Sequence, residues 1–504
     1  MPTIRCPQCG TEFEREGRDF CPNPSCGYPV SFSDEPEPPP AVSDMERRPG
    51  EQVTQQVSPP PPQPAPLPVV APPTQPTPKT PKGGPPVGLI VGGVVLAVAA
   101  VIVLVVLLSG GEEEKPEEKP AAVKGIDLRF NRIPPDEAVF GGDGDQAINR
   151  LSSTEDAIFG VGYGDAALGD KDAAVWTSTN GAQWSRVGPD PEVFGGSGDQ
   201  EMWAAVPGGP GLVVVGSDGT GGDLDAAVWL SDGVAFERVE HREGAFGGES
   251  DQVMLRVSKG GPGLIAVGYD TSGGDRDAAV WTSKDGRKWA RTNPNEAVFG
   301  GDRDQVIRST AVVGSRVVGV GDDTSGGDLD AAAWISDGNV FTRVFSDETV
   351  FGGQGGQRMF TAVPGGPGVI GVGTDSAGGD EDAAVWTSNN GQVWERIPAD
   401  ELIFGGEGRQ VMNAIAGNDE EGFVAVGKGS FAEDPLDQEA QAWQSSNGTK
   451  WRRISPTRSI FGGEGEQEMK FVTVAKGLAI AAGWDGSGGD LDAAVWTAKF
   501  PRAE

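Results

Sequence analysis

The stretch YDTSGGDRDAAVWTSKDGRKWAR, residues 269–291, decides the architecture of this chain because variants of it return along the sequence. Its central tryptophan, Trp281, has six counterparts, which are Trp176, Trp229, Trp334, Trp386, Trp443 and Trp496. Successive tryptophans in this series are 53, 52, 53, 52, 57 and 53 residues apart. A repeat of that length is typical of one supersecondary unit that stacks on copies of itself.

Each repeat contains four short segments, here named strands a to d, that alternate apolar residues with turn signals. In the third repeat, strand a begins at Gln252, strand b reads LIAVGYD, strand c reads AAVWTS and strand d reads WART. The turns KGGPG, TSGGDRD and KDGRK separate them. This spacing predicts antiparallel four-stranded sheets. Seven such sheets predict an all-β fold, a seven-bladed β-propeller over residues 126–504.

An aromatic residue and an arginine two positions apart mark strand d in six of the seven repeats. The pairs are Trp184 and Arg186, Phe236 and Arg238, Trp289 and Arg291, Phe341 and Arg343, Trp394 and Arg396, and Trp451 and Arg453. The seventh repeat ends after Trp496 without such a pair. The missing pair, Phe130 and Arg132, stands at the start of the domain, so we expect the first strand to complete the last blade and remove a free sheet edge.

The turns between strands c and d, such as TSKDG and TSNNG before a tryptophan, resemble the Asp-box of sialidase-like propellers. They are one residue shorter than that family's SxDxGxTW, and the resemblance covers a few residues per blade. It implies a structural turn held by Asx hydrogen bonds and a left-handed glycine. Sialidases use an arginine triad with a Tyr and Glu pair, whereas the repeat region has only Tyr163 and Tyr269 and its arginines follow the repeat.

Residues 1–30 contain all four cysteines of the chain, Cys6, Cys9, Cys21 and Cys26. Two thiolates two residues apart, as in CPQCG, can share a tetrahedral zinc ion with a second pair. The segment resembles zinc ribbons, whose knuckles read CPxCG, although four residues separate the second pair here. We expect a structural zinc ion in a reducing compartment, with a redox dithiol or unrelated cysteines as the alternatives.

Three segments connect this ribbon to the repeats. Residues 31–86 are rich in Pro, Gln, Thr and Ser and are expected to form a disordered linker. Residues 87–108, VGLIVGGVVLAVAAVIVLVVLL, carry no charge and are long enough for a single transmembrane helix. Residues 109–125 form an acidic spacer. The counts of Lys and Arg on the two sides do not decide the orientation, but the cysteine ribbon favours a cytoplasmic N-terminus and an extracytoplasmic propeller at the cell membrane.

Carboxylates recur in the loops between strands b and c, at spacings of zero, five and seven residues. They are Asp165, Asp170, Asp172, Asp218, Asp223, Asp225, Asp270, Asp275, Asp277, Asp323, Asp328, Asp330, Asp375, Asp380, Asp382, Asp485, Asp490 and Asp492. The sixth repeat departs from the pattern, with Gly429, Asp437 and Glu439. Oxygen ligands on a Gly-rich loop suit Ca²⁺, but aspartates that satisfy turn amides or pair with the strand d arginines would repeat in the same way.

A second motif, FGGxxxQ, fills each loop between strand d and the next strand a. If strand a runs from a top face to a bottom face, this loop shares the top face with the aspartate loops. The tether enters the last blade at the bottom, through Phe130, so we expect the acidic loops to face away from the membrane. The methionines two residues after the glutamine, among them Met254, are expected to fill the core.

The net charge of -34 argues against nucleic acid as a partner. The only histidine, His241, has no Ser or Cys nucleophile near it in the sequence. The sequence therefore favours a non-enzymatic binding, sensing or interaction module that recognises a protein or glycan at the top face. The alternative is a sialidase-like glycoside hydrolase acting on extracellular glycans, whose acid pairs depend on a separation that sequence does not give.

Overall fold

In a computed structural model, the chain is described over residues 126–500, apart from 166–168, 432–433 and 456. The backbone of Thr3–Arg5 and Glu12–Glu14 is also described, as a two-stranded antiparallel sheet. The four cysteines predicted to hold zinc, the predicted linker, the apolar stretch 87–108 and the acidic spacer lie outside these residues. Among the residues that are described, no helix has the length and apolar composition needed to cross a membrane.

The described repeats form seven antiparallel sheets of four strands, which confirms the predicted seven-bladed propeller. Strands a are Gln146–Ser153, Gln200–Gly208, Gln252–Gly260, Gln305–Val313, Gln357–Gly365, Gln410–Asn418 and Gln467–Ala475. Strands b are Ile158–Asp165, Gly211–Asp218, Gly263–Asp270, Arg316–Asp323, Gly368–Asp375, Gly422–Phe431 and Leu478–Asp485. Strands c are Lys171–Ser178, Asp225–Ser231, Asp277–Ser283, Asp330–Ser336, Asp382–Ser388, Asp434–Ser445 and Asp492–Lys499. Strands d are Ser185–Arg186, Phe236–Arg238, Trp289–Arg291, Phe341–Arg343, Trp394–Arg396, Trp451–Arg453 and Phe130–Arg132.

The first strand of the domain completes the last blade, as predicted. Phe130 pairs with Ala498 and Arg132 pairs with Trp496 in an antiparallel register. Phe130 is buried and meets Phe461 edge to face, with the ring centroids 5.9 Å apart. Pairing the two ends of the domain within one sheet closes the ring and leaves no blade with three strands.

Each strand c tryptophan is buried and joins its blade to the preceding loop. The indole Nε1 of Trp281 donates to the carbonyl of Ala245 at 2.7 Å, directly before the FGG motif of residues 246–248. The equivalent bond is 2.7 Å long in all seven blades. The phenylalanine of the motif is buried against the blade before it, where its carbonyl typically accepts a strand c amide, as Phe299 does from Ala278. Each FGG loop therefore fastens two neighbouring blades.

The turns between strands c and d have the predicted structural role. Asp285 Oδ1 accepts the amides of Arg287 and Lys288, each at 2.9 Å, and Gly286 adopts a φ of 77°. A residue with a Cβ is strained at that φ, so glycine suits the position. Two single-turn helices, Glu243–Phe246 and Arg458–Phe461, lie in d–a loops on the top face.

Every strand a contains a β-bulge three residues after its glutamine. The register shifts between Met254 and Arg256 in the third blade, which leaves Leu255 unpaired. The unpaired residues in the seven blades are Asn149, Trp203, Leu255, Arg308, Phe360, Asn413 and Lys470. Strands a are the innermost strands, so the bulges turn these side chains toward the axis of the ring.

Removing the closing aromatic ring should weaken the whole propeller. We predict that Phe130→Ala lowers the free energy of unfolding by about 3–4 kcal/mol, because it removes a buried ring that joins the chain ends. Urea unfolding followed by tryptophan fluorescence measures this, since all 13 tryptophans belong to the propeller. Phe345→Ala is the matched control, because that ring is 87% exposed and its loss should cost less than about 0.5 kcal/mol. Equal effects of the two changes would contradict closure through Phe130.

Candidate functional site

The first aspartate of each predicted acidic loop is engaged inside its own blade. In the third blade, Gln252 Nε2 donates to Asp270 Oδ1 at 3.1 Å, and Arg291 forms an ion pair with the other carboxylate oxygen. The same three residue types meet in five blades, at Asp218, Asp270, Asp323, Asp375 and Asp485. The glutamine side chains are buried by these contacts and do not line the mouth of the channel.

The first blade differs from the predicted loop pattern. Gln146 pairs with Gly164 rather than with Asp165, so Gly164 takes the place that aspartate holds in the five blades. Asp165 instead accepts the backbone amide of Asp145 at 2.9 Å. Arg186 has no aspartate at this position and donates to the carbonyl of Gly141. The loop between Gly164 and Asp172 has one residue more than the equivalent loop between Asp270 and Asp277, and this residue shifts the register. The aspartates keep the same spacing in the sequence, so the sequence does not reveal the shift.

The middle of each acidic loop docks on the next blade. Leu224 N donates to Asp251 Oδ1 at 3.0 Å, and Leu224 accepts from the backbone amide of Gln252 at 2.6 Å. The neighbouring carboxylate, Asp223, accepts the amide of Ser250. Equivalent backbone contacts recur around most of the ring, so this part of the loop holds blades together.

The third aspartate faces a glutamate from the following d–a loop and lies beside the first glycine of the FGG motif. In the fourth blade, Glu348 Oε2 and Asp330 Oδ1 lie 2.5 and 2.8 Å from the point where a Cβ on Gly352 would stand. Burial, and then the charge of the facing glutamate, raises the pKa of Asp277, Asp330 and Asp382 to about 6. Among the described residues, no three His, Cys, Asp or Glu side chains gather at one metal-binding point.

The axis of the ring is lined by side chains that do not repeat. Whereas the rim carries one pattern in almost every blade, the bulge positions hold polar, aromatic, aliphatic and basic residues in turn. The cross-strand neighbours just before the end of strand b vary in the same way, from Tyr163 and Tyr269 to Asp322, Lys428 and Trp484. Positions that escape the repeat are free of its packing role, so they are candidates for specific recognition.

Four consecutive blades share a polar network at this axis. Lys470 Nζ donates to Asn149 Oδ1 at 2.9 Å, and Asn149 Nδ2 donates to Glu201 Oε1 at 2.9 Å. On the other side, Asn413 Nδ2 donates to Glu468 Oε1 at 2.7 Å. The network also brings a cation next to an aromatic ring, because Lys470 Nζ lies 5.7 Å from the centroid of the Trp203 ring. These two residues belong to the seventh and second blades, which are not adjacent.

A stack of two arginines on Phe471 crosses the axis. The guanidinium carbon of Arg150 lies 3.6 Å from the centroid of the Phe471 ring, and that of Arg256 lies 5.3 Å from it. These side chains come from the first, third and seventh blades, so they converge across the axis of the ring. We call the group of side chains around this point the axial cup. Burial lowers the pKa of Arg256 to about 9, and its Nη1 finds no acceptor among the described residues.

The opposite wall of the cup is also basic. Arg308 and Arg358 both pair with Asp322, and both guanidinium groups lie within 6 Å of the centroid of the Phe360 ring. The basic side chains around the cup are Arg150, Lys171, Arg256, Arg308, Arg358, Lys428 and Lys470. The acidic side chains that form ion pairs with them are Glu201, Asp322 and Glu468. A chain with a net charge of -34 therefore concentrates positive charge at its axis.

Sequence reasoning missed this cup because it followed what the repeats share. The signal was present as the set of positions that break the repeat, one, three and four residues after each glutamine of the FGGxxxQ motif. Tyr163 contributes a phenol to the cup. Burial, and then the charge of Glu201, raises the pKa of this phenol above the usual value. That shift opposes a phenolate nucleophile at this position.

Comparison with known proteins finds distant structural matches and no family. No family model matches the chain, and no curated protein matches it. Among solved structures, a sialidase from Trypanosoma rangeli is 10% identical with a TM-score of 0.40, and the match covers 74% of this chain and 60% of the sialidase. A polysaccharide lyase described as an ulvan lyase is 11% identical with a TM-score of 0.42, covering 74% and 95% of the two chains. TolB from Acinetobacter baumannii is 10% identical with a TM-score of 0.30, covering 69% and 81%.

The ion pair between Asp323 and Arg343 at the end of strand b should contribute more to stability than the exposed Asp328 in the same loop. We predict that Asp323→Ala lowers the free energy of unfolding by about 3 kcal/mol, because it removes the buried partner of the half-buried Arg343 charge. Asp328→Ala, in the same loop but exposed, should change stability by less than about 0.5 kcal/mol. Chemical unfolding of both variants measures the difference. A larger effect of Asp328→Ala would contradict the assigned roles.

Proposed function

We propose that this chain is a membrane-anchored, non-enzymatic binding module whose propeller recognises an acidic ligand in the axial cup. The observation that carries the proposal is the excess of basic and aromatic side chains at positions that break the repeat. The rest of the top rim is acidic and occupied by contacts within and between blades. A ligand with negative charge is therefore repelled by the rim and attracted to the axis.

The chemistry of the cup narrows the ligand class. Arg256 Nη1 is a buried donor with no acceptor among the described residues, and aromatic rings such as Phe471 and Trp203 lie beside cations. The axis is narrow where these side chains converge, so it suits a small ligand or the end of a chain better than a folded protein surface. An acidic saccharide fits these features, because it combines a carboxylate or sulfate with apolar ring faces that pack on aromatic side chains.

The proposal places the propeller outside the cell membrane. Residues 87–108 would form the anchor, and the cysteines Cys6, Cys9, Cys21 and Cys26 would hold zinc in a cytoplasmic ribbon. Support comes from the order of these segments in the sequence. Ile126 and Leu128 bond to Arg452 and Gln444, which lie beside the bottom turn between strands c and d of the sixth blade, so the described chain enters the propeller at its bottom face.

Thiol labelling of intact cells tests the orientation, because every native cysteine lies within the first 26 residues. We predict that a membrane-impermeant maleimide labels the native chain only after the cells are permeabilised and zinc is chelated. A variant with all four cysteines replaced by Ser and with Val234→Cys, a site 92% exposed on the propeller, should be labelled in intact cells. The reverse pattern would place the propeller in the cytoplasm.

A glycan array tests the ligand class. We predict that the full chain in detergent binds acidic oligosaccharides more strongly than neutral ones, and that added salt weakens the binding. Arg256→Gln should weaken it about tenfold or more, because the change removes a charged donor from the cup. Arg287→Gln, on an exposed turn at the bottom face, is the control and should bind normally. Preference for neutral glycans or for acidic peptides, or equal binding by both variants, would overturn the proposal.

The same array decides the alternative of a sialidase-like glycoside hydrolase. That alternative requires turnover of a bound glycan, with acid groups such as Glu201 and Glu468 in catalytic roles. In the described structure these two carboxylates are held by asparagine and lysine side chains of the polar network. We expect bound glycans to be recovered intact, and release of shortened products would favour the hydrolase.

A further inference from the structure

In four blades, the third aspartate of the acidic loop faces a glutamate of the following d–a loop, and other blades carry different residues at these two positions. The pairs are Asp277 and Glu296, Asp330 and Glu348, Asp382 and Glu401, and Asp492 and Glu137. Each lies at the outer top rim, away from the axial cup. In all four, Oδ1 of the aspartate is buried and has no hydrogen-bond partner among the described residues.

Two other blades place a basic side chain at the same point. In the sixth blade, Glu439 replaces the aspartate, and Arg458 replaces the facing glutamate and binds it, with Nε 3.0 Å from Oε1. In the second blade, the only histidine of the chain, His241, lies 3.9 Å from Asp225 and 3.3 Å from Glu243. The protein thus supplies a group able to carry positive charge in two blades and leaves two facing carboxylates in four.

The aspartates of these four pairs are buried or half-buried, whereas the facing glutamates are exposed. Asp330 is 5% exposed and Asp382 is 9% exposed, and among the described residues no basic side chain lies within ion-pair distance of either. The charges of Arg453 and Arg132 act on Asp382 and Asp492 from farther away. In the third blade, Arg291 lines the same cleft as Asp277 and Glu296, but it is paired with Asp270. The charged form of a buried aspartate beside a second carboxylate is unfavourable unless the two groups share a proton or hold a cation.

We propose that these four pairs are binding sites for a hard divalent cation, Ca²⁺, each built from one aspartate, one glutamate and oxygen atoms of backbone or water. The cation takes the place that Arg458 holds in the sixth blade. The cleft at Asp277 and Glu296 has a volume of about 230 Å³, which admits an ion with its remaining water ligands. Carboxylate oxygens in irregular geometry suit Ca²⁺ better than Mg²⁺, which demands near-octahedral ligands.

This arrangement differs from a metal site within one acidic loop. The first aspartate of the loop is committed to arginine and glutamine, as Asp270 is, so it has little capacity left for an ion. The ligands come from two successive connections, the start of strand c and the d–a loop that crosses to the next blade. A bound ion would therefore link two blades at the FGG loop. It would stabilise the closed ring and would not act on the axial cup.

Equilibrium dialysis of the calcium-stripped full chain with ⁴⁵Ca²⁺, at neutral pH and fixed ionic strength, tests the proposal. We expect four ions per chain, and one ion per chain after Glu296→Arg, Glu348→Arg and Glu401→Arg are combined. Arg458→Glu should add one ion, because it recreates the facing pair at Glu439. Melting followed by tryptophan fluorescence should show that Ca²⁺ raises the melting temperature of the wild type, and by less in the triple variant.

A matched charge control separates specific sites from general screening. Glu155→Arg, Glu395→Arg and Glu420→Arg make the same charge change on exposed surface, and this variant should keep all four ions. The proposal is overturned if wild type binds no Ca²⁺ and melts at one temperature with and without it. It is also overturned if the control loses as many ions as the triple variant. If each aspartate and its facing glutamate only share a proton, the wild type will bind no Ca²⁺ and its melting temperature will not change.

Discussion

The hydrogen bond from each strand c indole to the carbonyl before the FGG motif is the contact on which the ring depends. It is made seven times at 2.7 Å, and it joins the middle of one blade to the loop that arrives from the blade before. A net contribution of about 1 kcal/mol is ordinary for one such bond, but an unmet buried carbonyl costs more. The bond fixes the FGG loop, and that loop places both the glutamine of strand a and the glutamate of the rim.

The repeated contacts at the rim hold the blades together, so the side chains at the axis are free to differ from blade to blade. A bulge at the same position of every strand a turns one side chain per blade inward, and no packing rule then dictates its identity. The result is a cup with several arginines and aromatic rings in a protein whose net charge is strongly negative. The same division explains why the acidic loops, prominent in the sequence, are mostly structural.

Sequence predicted the blades and their closure, because Trp281 and its counterparts mark a period and the pair Phe130 and Arg132 marks the missing strand. It did not predict the register at Gly164, since the spacing of the aspartates is unchanged by one inserted residue. It did not connect Asp330 with Glu348 either, because these residues meet only when a d–a loop folds back on strand c. The axial residues were overlooked for another reason: Arg256 and Phe471 are remote in sequence and follow no repeat, so only the closed ring brings them together.

Hydrogen exchange of the tryptophan indole protons, followed by NMR, tests the central role of the indole bonds most directly. The seven strand c indoles should exchange only through global unfolding, at rates that follow its free energy. The indoles of Trp203 and Trp484, which donate to no protein acceptor among the described residues, should exchange much faster. Strand c indoles that exchange as fast as those two would contradict the account, because the blades would then be joined by something other than these bonds.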